Sequence, residues 1–245
     1  MTIKDKIIAI TGAGRGIGRS TALHLASRGA CVVLGARSEI ELADVANAIV
    51  SAGGEAVYSV TDVTKRSDLD MLVDRACETF GRLDAIVNNA GIGPISRFDA
   101  LRVEDWDAMI DVNLRGTLYG IAAALPVFAR QGQGHVINVL STAGLKIVPT
   151  MGVYAATKNA LRTATEALRQ EAGPNLRVTE VSPGFIDTTF TDSSITDEQV
   201  RAAINKRKEQ VAISPDAIAR AIAFAIEQPG DVEIGSIVVR PTAQD

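Results

Sequence analysis

Short apolar runs rich in β-branched residues alternate along the chain with longer segments of helical composition. The apolar runs predict strands and cover residues 6–11, 31–35, 56–60, 84–88, 135–140, 176–181 and 235–239. The segments between them, 19–28, 40–51, 67–80, 104–129, 153–172 and 215–227, contain good helix formers and mostly end near glycine. This alternation predicts a doubly wound (Rossmann) α/β fold, with a parallel sheet of about seven strands and helices on both faces.

No linker, repeat or low-complexity segment divides residues 1–245, so the sequence predicts a single domain without a separate substrate domain. Residues 188–213 are polar or charged in patches and lack a strong apolar stripe. We expect this segment to be a mobile lid over the substrate.

The composition of the chain limits the classes of partner that we expect this protein to bind. The chain is 47% hydrophobic with a formal net charge of −4, whereas binding to nucleic-acid phosphates requires clustered Lys and Arg. The basic run Lys206-Arg207-Lys208 is better explained by a solvated helix end, so no nucleic-acid partner is expected. The weakly polar stretch Gly116–Ala129 is too short to span a bilayer, so no membrane association is expected either.

Cysteine and histidine usage favours the cytoplasm and argues against a metal. Cys31 lies in a predicted strand and Cys77 in a predicted helix, which suits buried thiols better than a disulfide framework. The N-terminal residues contain no apolar region of the signal-peptide type. His24 and His135 are far apart in sequence, without grouped Cys or carboxylate neighbours, so no metal site is predicted.

A glycine-rich turn separates the first strand from the first helix. It reads Gly12-Ala13-Gly14-Arg15-Gly16-Ile17-Gly18. Glycines allow close backbone approach, and the free amides at a helix start favour a pyrophosphate. An ordinary strand-to-helix turn rarely needs four glycines, so we predict a dinucleotide site. Its residues would be Gly12, Arg15, Gly16, Ile17 and Gly18.

The end of the second strand bears on the choice of cofactor. Sites that prefer NAD carry an acidic residue there to hold the ribose hydroxyls. This chain has Ala36-Arg37-Ser38 instead, with no acid before Glu39. Arg37, together with Arg15, could hold a 2′-phosphate, although both could instead be exposed surface arginines. We therefore expect NADP(H) to be preferred, with NAD(H) possible.

Two further turns lie at predicted carboxyl ends of strands. Asp62 could accept a hydrogen bond from the adenine amine with Val63 beside the ring, or it could be a capping or turn residue. Asn89-Ala90-Gly91 follows the fourth strand, where it either supports the cofactor cleft or simply forms a turn. We favour support of the cleft.

Ser141, Tyr154 and Lys158 carry the candidate chemistry. Tyr154 and Lys158 are four residues apart in a predicted helix, so they share a face, and Ser141 follows a predicted buried strand. A free phenol titrates near 10. Before the cost of desolvation, an ammonium about 4 Å away, at an effective dielectric near 20, would favour the phenolate by roughly 4 kcal/mol and could lower the phenol pKa by up to about three units. Tyr154 would then be a usable acid and base, oriented by Ser141.

Apolar residues flank this group in sequence. Leu145, Val148 and Phe185 suggest a partly apolar substrate pocket, although each could be ordinary core or lid packing.

The chain resembles the short-chain dehydrogenase/reductase family over essentially its whole length. The motifs that carry the resemblance are Thr11-Gly12-x3-Gly16-x-Gly18, Asn88-Asn89-Ala90-Gly91, Asn113, Ser141, Tyr154-x3-Lys158 and Pro183-Gly184-x3-Thr188.

The resemblance implies roles for individual residues. Tyr154 would be the acid/base and Ser141 the ligand of the carbonyl oxygen. Lys158 would lower the tyrosine pKa and hold the nicotinamide ribose, and Asn113 would support a proton-relay water. The nicotinamide carboxamide would be held by the Thr188 hydroxyl and by the backbone after Pro183-Gly184, which includes Ile186. Family members are commonly homotetramers, or homodimers, built on helices that correspond here to 105–130 and 154–171.

The C-terminal segment separates this chain from one branch of that family. Reductases of acyl-carrier-protein thioesters often end in Thr-Gly…Asp-Gly-Gly, whereas residues 235–244 read GSIVVRPTAQ. That segment resembles the subgroup of clavaldehyde dehydrogenases and 3-hydroxy acid dehydrogenases. The resemblance implies a nicotinamide-dependent oxidoreductase that acts on a small-molecule ketone, aldehyde or secondary alcohol. The alternatives are a 3-oxoacyl-thioester reductase and a non-catalytic dinucleotide sensor, which would need no complete Ser-Tyr-Lys set.

Overall fold

One parallel sheet organises the fold, and its seven strands follow the order β3-β2-β1-β4-β5-β6-β7. The computed structural model describes residues 2–190 and 198–244. The strands are β1 Ile7–Thr11, β2 Cys31–Ala36, β3 Glu55–Val60, β4 Ala85–Asn88, β5 Gly134–Val139, β6 Leu176–Pro183 and β7 Ser236–Val239. Every neighbouring pair is parallel, which confirms the predicted doubly wound α/β fold.

Helices cover both faces of this sheet. They are α1 Gly16–Ser27, α2 Glu39–Ser51, α3 Arg66–Phe80, α4 Val103–Met109, α5 Gly116–Gln131, α6 Gly152–Glu171, α7 Glu198–Val211 and α8 Asp216–Glu227. Short 3-10 turns occur at Phe98–Ala100 and Thr142–Gly144. Of the lid expected over 188–213, residues 191–197 lie outside the described part of the chain, and α7 forms most of the rest.

Side chains of β1 point alternately into two apolar cores. Ile8 and Ile10 belong to a buried cluster shared with α1, α2 and α8, whereas Ile7 and Ala9 belong to a second cluster shared with α3 and α5. All five positions of β1 are buried. A strand covered on both faces needs an unbroken apolar run, which is why β1 shows no polar alternation in its sequence.

The parallel arrangement gathers the carboxyl ends of the strands at one edge of the sheet. The chain order reverses between β1 and β4, and a crevice opens at such a point in doubly wound sheets. β1 leads into the glycine turn, β4 into Asn89, and β5 into Ser141. The fold therefore brings residues that are distant in sequence to one cleft.

The helix predicted over 104–129 runs from Val103 to Gln131 and contains a turn of π-helix at Ile110–Arg115. A π turn places one extra residue in the helical turn and is frequent at functional sites. Asn113 lies within it and is completely buried, so the asparagine that is unfavourable in a regular helix occupies an irregular one.

The same helix is, at 29 residues, long and apolar enough to cross a membrane by length and composition alone. It extends beyond Gly116–Ala129, the stretch that we expected from the sequence to be too short to span a bilayer. Half of its apolar window is buried inside the fold (50%), where α5 packs against α3, β4 and β5. Core packing accounts for the buried half of this helix.

Candidate active site

A cleft of about 1430 Å³ opens at the carboxyl edge of the sheet. It collects nearly all of the residues that the sequence singled out. Those that line it are Gly12, Arg15, Gly16, Ile17, Arg37, Asp62, Val63, Asn89, Ala90, Gly91, Ser141, Leu145, Val148, Tyr154, Lys158, Pro183, Gly184, Phe185, Ile186 and Thr188. Gly18 and Asn113 do not line it, and both act from behind its wall.

The glycine turn forms one end of the cleft. Gly12 and Gly16 have φ angles of 66° and 55°, a region that favours glycine. α1 starts at Gly16, without a side-chain cap and without an acidic residue in its first turn. The first amides of α1 are thus available to an anion in the cleft. A β-carbon at Gly18 would overlap the Gly12 carbonyl oxygen, so Gly18 serves the close packing of the turn.

The Asn89 turn holds the glycine turn in place. The Thr11 hydroxyl accepts hydrogen bonds from the amides of Asn89 and Ala90, both at 3.0 Å. The Asn89 side-chain amide donates to the carbonyl oxygens of Thr11 at 2.8 Å and of Gly12 at 3.4 Å. These contacts join the exits of β1 and β4, so this turn supports the cleft, as we favoured from the sequence.

Three charged side chains lie around the outer part of this end. Arg15 and Arg37 are exposed, and neither has an ion-pair partner among the residues that the structure describes. Glu41, which the sequence analysis missed, also lines the cleft, and its carboxylate lies against Gly14. Ser38 caps α2 by accepting from the Glu41 amide at 3.3 Å. The Ser38-x-x-Glu41 spacing is that of a capping box, but here the carboxylate contacts the glycine turn.

Asp62 lies in a tight turn at the end of β3. Its carboxylate accepts from the Thr64 amide at 3.1 Å and the Thr64 hydroxyl at 2.8 Å. Burial raises the Asp62 pKa, but the two hydrogen bonds from Thr64 outweigh it and leave the pKa below its ordinary value. Asp62 therefore occupies both of the expected places, a turn and the cleft wall.

Ser141, Tyr154 and Lys158 meet at the opposite end of the cleft. Ser141 caps the 3-10 turn after β5, where its hydroxyl accepts from the Ala143 amide at 3.1 Å, and it lies close enough to the Tyr154 hydroxyl to lower the pKa of Tyr154. The Lys158 ammonium lies 5.9 Å from the centroid of the Tyr154 ring. It donates to the Val139 carbonyl oxygen at 3.0 Å and is 4% exposed.

The ionisation of this group differs from the expectation. Burial raises the pKa of Tyr154, and the hydrogen bond from Ser141 opposes the shift without reversing it. Burial also lowers the pKa of Lys158 to about 8. The lowering of the phenol pKa that we expected from Lys158, before the cost of desolvation, is not seen in the protein alone, because burial is the largest influence on the pKa of both groups and the Lys158 nitrogen lies 5.9 Å from the centroid of the Tyr154 ring.

Asn113 joins three parts of the site from behind. Its side-chain oxygen accepts from the Ile92 amide at 2.8 Å. Its side-chain nitrogen donates to the Ile92 carbonyl at 2.9 Å and to the Thr157 hydroxyl at 3.2 Å. Thr157 in turn donates to the Tyr154 carbonyl at 2.7 Å. Asn113 thus fixes the strand exit at Ile92 relative to the helix that carries Tyr154.

The wall beside Tyr154 is largely apolar. Leu145, Val148 and Phe185 line it, as the sequence suggested, and so does Phe190, which the sequence analysis did not single out. The Phe190 ring lies 6.0 Å from the Tyr154 ring, centroid to centroid, at 58°. Phe190 falls in the segment we assigned to the lid, and an aromatic side chain among polar residues was the one available signal.

The basic run in α7 is more than a solvated helix end. Lys208 donates to the Thr188 carbonyl at 2.5 Å and pairs with Asp187 at 3.3 Å. Arg207 donates to the Ala243 carbonyl at 3.3 Å. α7 is therefore fastened to the loop after β6 and to the segment after β7.

The described residues contain no group of three or more His, Cys, Asp and Glu side chains that could hold a metal ion. Cys31 and Cys77 are both free thiols. His135 is buried, its Nε2 lies 2.8 Å from the Thr179 hydroxyl, and burial lowers its pKa well below the ordinary value. These groups lie outside the cleft.

Known proteins resemble this chain in sequence and in fold. A family model described as short chain dehydrogenase matches residues 6–199. Lmo0432, an uncharacterized oxidoreductase of Listeria monocytogenes, is 46% identical over 247 residues, covering 100% of this chain and 99% of the relative. An alcohol dehydrogenase of the archaeon Thermococcus sibiricus, solved with 5-hydroxy-NADP, has a TM-score of 0.88 at 32% identity and covers 99% of both chains.

A short-chain dehydrogenase/reductase of Burkholderia phymatum, solved with NAD, has a TM-score of 0.89 at 27% identity, covering 97% of this chain and 90% of that chain. The family model spans well over half of this chain, and the relative from Listeria matches all of it. The resemblance seen in the motifs is confirmed: this protein is an oxidoreductase of the short-chain dehydrogenase family.

Proposed function

We propose that this protein transfers hydride between a nicotinamide dinucleotide and a small ketone, aldehyde or secondary alcohol. The observation that carries the proposal is the grouping of Ser141, Tyr154 and Lys158 on the wall of one cleft, with the buried Lys158 ammonium 5.9 Å from the centroid of the Tyr154 ring. This group lies in the same cleft as the glycine turn. A proton donor and an anion site at opposite ends of one cleft suit a reaction that moves a hydride and a proton together.

The residues of the cleft fit a dinucleotide. The uncapped start of α1 suits a pyrophosphate, and the left-handed glycines Gly12 and Gly16 allow close approach. The volume of about 1430 Å³ exceeds the 300–1,000 Å³ typical of sites for single drug-sized ligands, which leaves room for a dinucleotide and a small substrate. A bound nicotinamide supplies or accepts the hydride.

Side chains of this protein donate or accept the proton that accompanies hydride transfer. In reduction, the Tyr154 hydroxyl donates its proton to the carbonyl oxygen, while Ser141 hydrogen-bonds that oxygen as negative charge develops. In oxidation, ionised Tyr154 accepts the proton from the alcohol. Asn113, Thr157 and Lys158 keep Tyr154 in position. In addition, Asn113 would support a proton-relay water, and Lys158 would hold the nicotinamide ribose. Residues 183–188, with Ile186 and Thr188, would hold the carboxamide.

For the cofactor we propose a preference for NADP(H) over NAD(H). The guanidinium groups of Arg15 and Arg37 at the outer end of the cleft, which have no ion-pair partner within residues 2–190 and 198–244, support it, since a 2′-phosphate would find charge-assisted hydrogen bonds there. Glu41 opposes it, because a carboxylate repels a phosphate and can accept hydrogen bonds from ribose hydroxyls. A higher kcat/KM with NAD(H) would contradict the proposal.

For the substrate we propose a compound with an apolar group next to the carbonyl. Leu145, Val148, Phe185 and Phe190 supply the apolar wall, and the lid at 188–213 would close over it. The subgroup suggested by the C-terminal segment, clavaldehyde and 3-hydroxy acid dehydrogenases, remains a prediction about the substrate.

For assembly and location we propose a cytoplasmic homotetramer. Val103, Ile110 and Leu118 project apolar side chains from one long helix, 46%, 39% and 41% exposed, and such a stripe suits burial against another copy. Free thiols at Cys31 and Cys77 suit a reducing compartment. Light scattering coupled to size exclusion would measure the mass, and a monomer would contradict the assembly.

The reaction is tested with a panel of ketones, aldehydes and alcohols and both cofactors, followed by absorbance of the reduced nicotinamide. Tyr154→Phe should lower turnover by about 100- to 10,000-fold, as expected for loss of a general acid, while the dinucleotide dissociation constant changes little. Tyr119→Phe is the matched control, since Tyr119 is absent from the cleft lining. Substantial turnover by Tyr154→Phe would overturn the reaction, and dinucleotide binding without turnover by the parent would favour a sensor.

A further inference from the structure

We propose that Gln244 is a positioning residue of the active site, which ties together the two loops on either side of the substrate end of the cleft. The inference rests on the proposed function, because it assigns Gln244 a part in placing Ser141. Gln244 lies in the segment after β7 and lines the cleft. Neither the motifs nor the family pattern of the sequence indicated it.

The Gln244 side chain makes one contact to each loop. Its carbonyl oxygen accepts from the Phe185 amide at 2.9 Å, in the loop after β6. Its amide nitrogen donates to the Thr142 hydroxyl at 3.3 Å, in the 3-10 turn after β5. One rigid, planar amide therefore fixes the spacing between the exits of two adjacent strands.

Both contacted residues adjoin functional groups. Thr142 follows Ser141, which lines the cleft with Tyr154 and lowers its pKa. Phe185 lines the apolar wall and follows Pro183-Gly184, the proposed holder of the nicotinamide. A shift of either loop would move the oxygen ligand relative to the reacting atoms, and small misplacements of such groups cost large factors in rate.

The glycine at position 184 leaves open the space that the side-chain amide of Gln244 occupies. A β-carbon at Gly184 would overlap the Gln244 side-chain oxygen and would approach the Arg240 β-carbon to 2.8 Å. The backbone of Gln244 is held by a turn, in which its backbone amide donates to the Pro241 carbonyl at 3.0 Å. Arg207 of α7 donates to the neighbouring Ala243 carbonyl. The segment after β7 therefore packs against the active site.

The test compares Gln244→Met, which keeps the length of the side chain without its polar atoms, with Gln244→Glu, whose carboxylate can accept from both the Phe185 amide and the Thr142 hydroxyl. Thr142→Val removes the other partner. Thr242→Ala is the matched control, because Thr242 is exposed in the same segment. Measured quantities are kcat, KM, the dinucleotide dissociation constant, the melting temperature, and hydrogen exchange of the Phe185 amide.

We expect Gln244→Met and Thr142→Val each to lower kcat about tenfold, with the dissociation constant of the dinucleotide unchanged within about twofold. The double variant should lose no more than Gln244→Met alone, because Gln244→Met already lacks the contact to Thr142. Gln244→Glu should restore most of the rate, and Thr242→Ala should match the parent. Equal kcat in Gln244→Met and Thr242→Ala would overturn the inference, as would a fall in kcat that only follows the melting temperature.

Two measurements need no substrate and separate this inference from the proposed function. The Phe185 amide should exchange faster in Gln244→Met than in Thr242→Ala. The tyrosinate absorbance assigned to Tyr154, by difference from the same variants carrying Tyr154→Phe, should titrate at higher pH in Gln244→Met, because a displaced Ser141 lowers the Tyr154 pKa less. If the parent neither binds a dinucleotide nor turns over a substrate, the proposed function fails, and unchanged exchange and titration would then overturn the role of Gln244 by themselves.

Discussion

Burial of the Lys158 ammonium should make the stability of this protein depend on pH in a way that a single substitution removes. The Lys158 side chain is 4% exposed, and burial lowers its pKa from 10.5 to about 8. Between these two values the unfolded chain binds a proton that the folded chain has lost. Stability contributed by this residue therefore rises with pH across that window, and below it the folded protein carries the full cost of the buried charge.

The magnitude follows from the shift. The difference between 10.5 and about 8 corresponds to a cost of about 3 kcal/mol at pH 7, which falls to about 1 kcal/mol at pH 9.5. Lys158→Met keeps an unbranched chain of similar length and removes the charge. It also leaves the Val139 carbonyl without its donor, a loss of about 1 kcal/mol that does not vary with pH. We expect the variant to be more stable than the parent at pH 7 by about 2 kcal/mol.

The assay is urea unfolding of parent and variant at pH 7 and pH 9.5, in the same buffer and salt. The advantage of Lys158→Met should shrink by about 2 kcal/mol between the two pH values, because other titrating groups contribute equally to both proteins. Lys146→Met removes an exposed ammonium from the same cleft and is the matched control, with a difference from the parent that stays constant. A difference for Lys158→Met that is equally independent of pH would refute the reasoning.

Three further outcomes are expected. Gly18→Ala should lower stability by about 1–3 kcal/mol and weaken dinucleotide binding, since its methyl group would overlap the Gly12 carbonyl oxygen; thermal melting and fluorescence titration measure both. Glu41→Gln should raise the ratio of kcat/KM for NADP(H) to that for NAD(H) about tenfold, because it removes a carboxylate beside the phosphate site, and an unchanged ratio would exclude this role. Asn113→Ala should cost about 1–3 kcal/mol in urea unfolding by leaving the Ile92 amide unpaired, and Asn113→Asp should cost at least as much, because it keeps that acceptor but sets a buried carboxylate oxygen against the Ile92 carbonyl oxygen.

The fold was predictable because its signals are local. Each strand is a short apolar run, and each turn at the carboxyl edge is marked by glycine, asparagine or serine. The spacing of Tyr154 and Lys158 fixes them on one helix face whatever the tertiary structure. Once strands and helices alternate, the rule that ligands bind at the carboxyl edge brings Ser141 and the glycine turn to the same cleft.

What escaped prediction depends on packing between distant segments. The sequence gives the attraction between Lys158 and Tyr154 but not the depth of their burial, and burial decides the direction of both pKa shifts. Glu41 occupies a capping position that has its own local explanation, so its approach to Gly14 is invisible in sequence. Gln244 is separated from Thr142 by 102 positions, and no periodic pattern connects them.

The directions of the Tyr154 and Lys158 pKa shifts affect the proposed reduction and the proposed oxidation differently. Reduction needs the protonated phenol of Tyr154, which burial favours, so the protein alone holds Tyr154 ready to donate. Oxidation needs the phenolate, and the pKa of the neighbouring Lys158 is about 8, so Lys158 loses its charge below the pH at which Tyr154, whose pKa burial raises, would ionise. Lys158 therefore stabilises the phenolate less as the pH rises. A proton acceptor at Tyr154 requires further positive charge or hydrogen bonding from within the cleft, and this requirement is why the contacts that place Ser141 matter to the proposed chemistry.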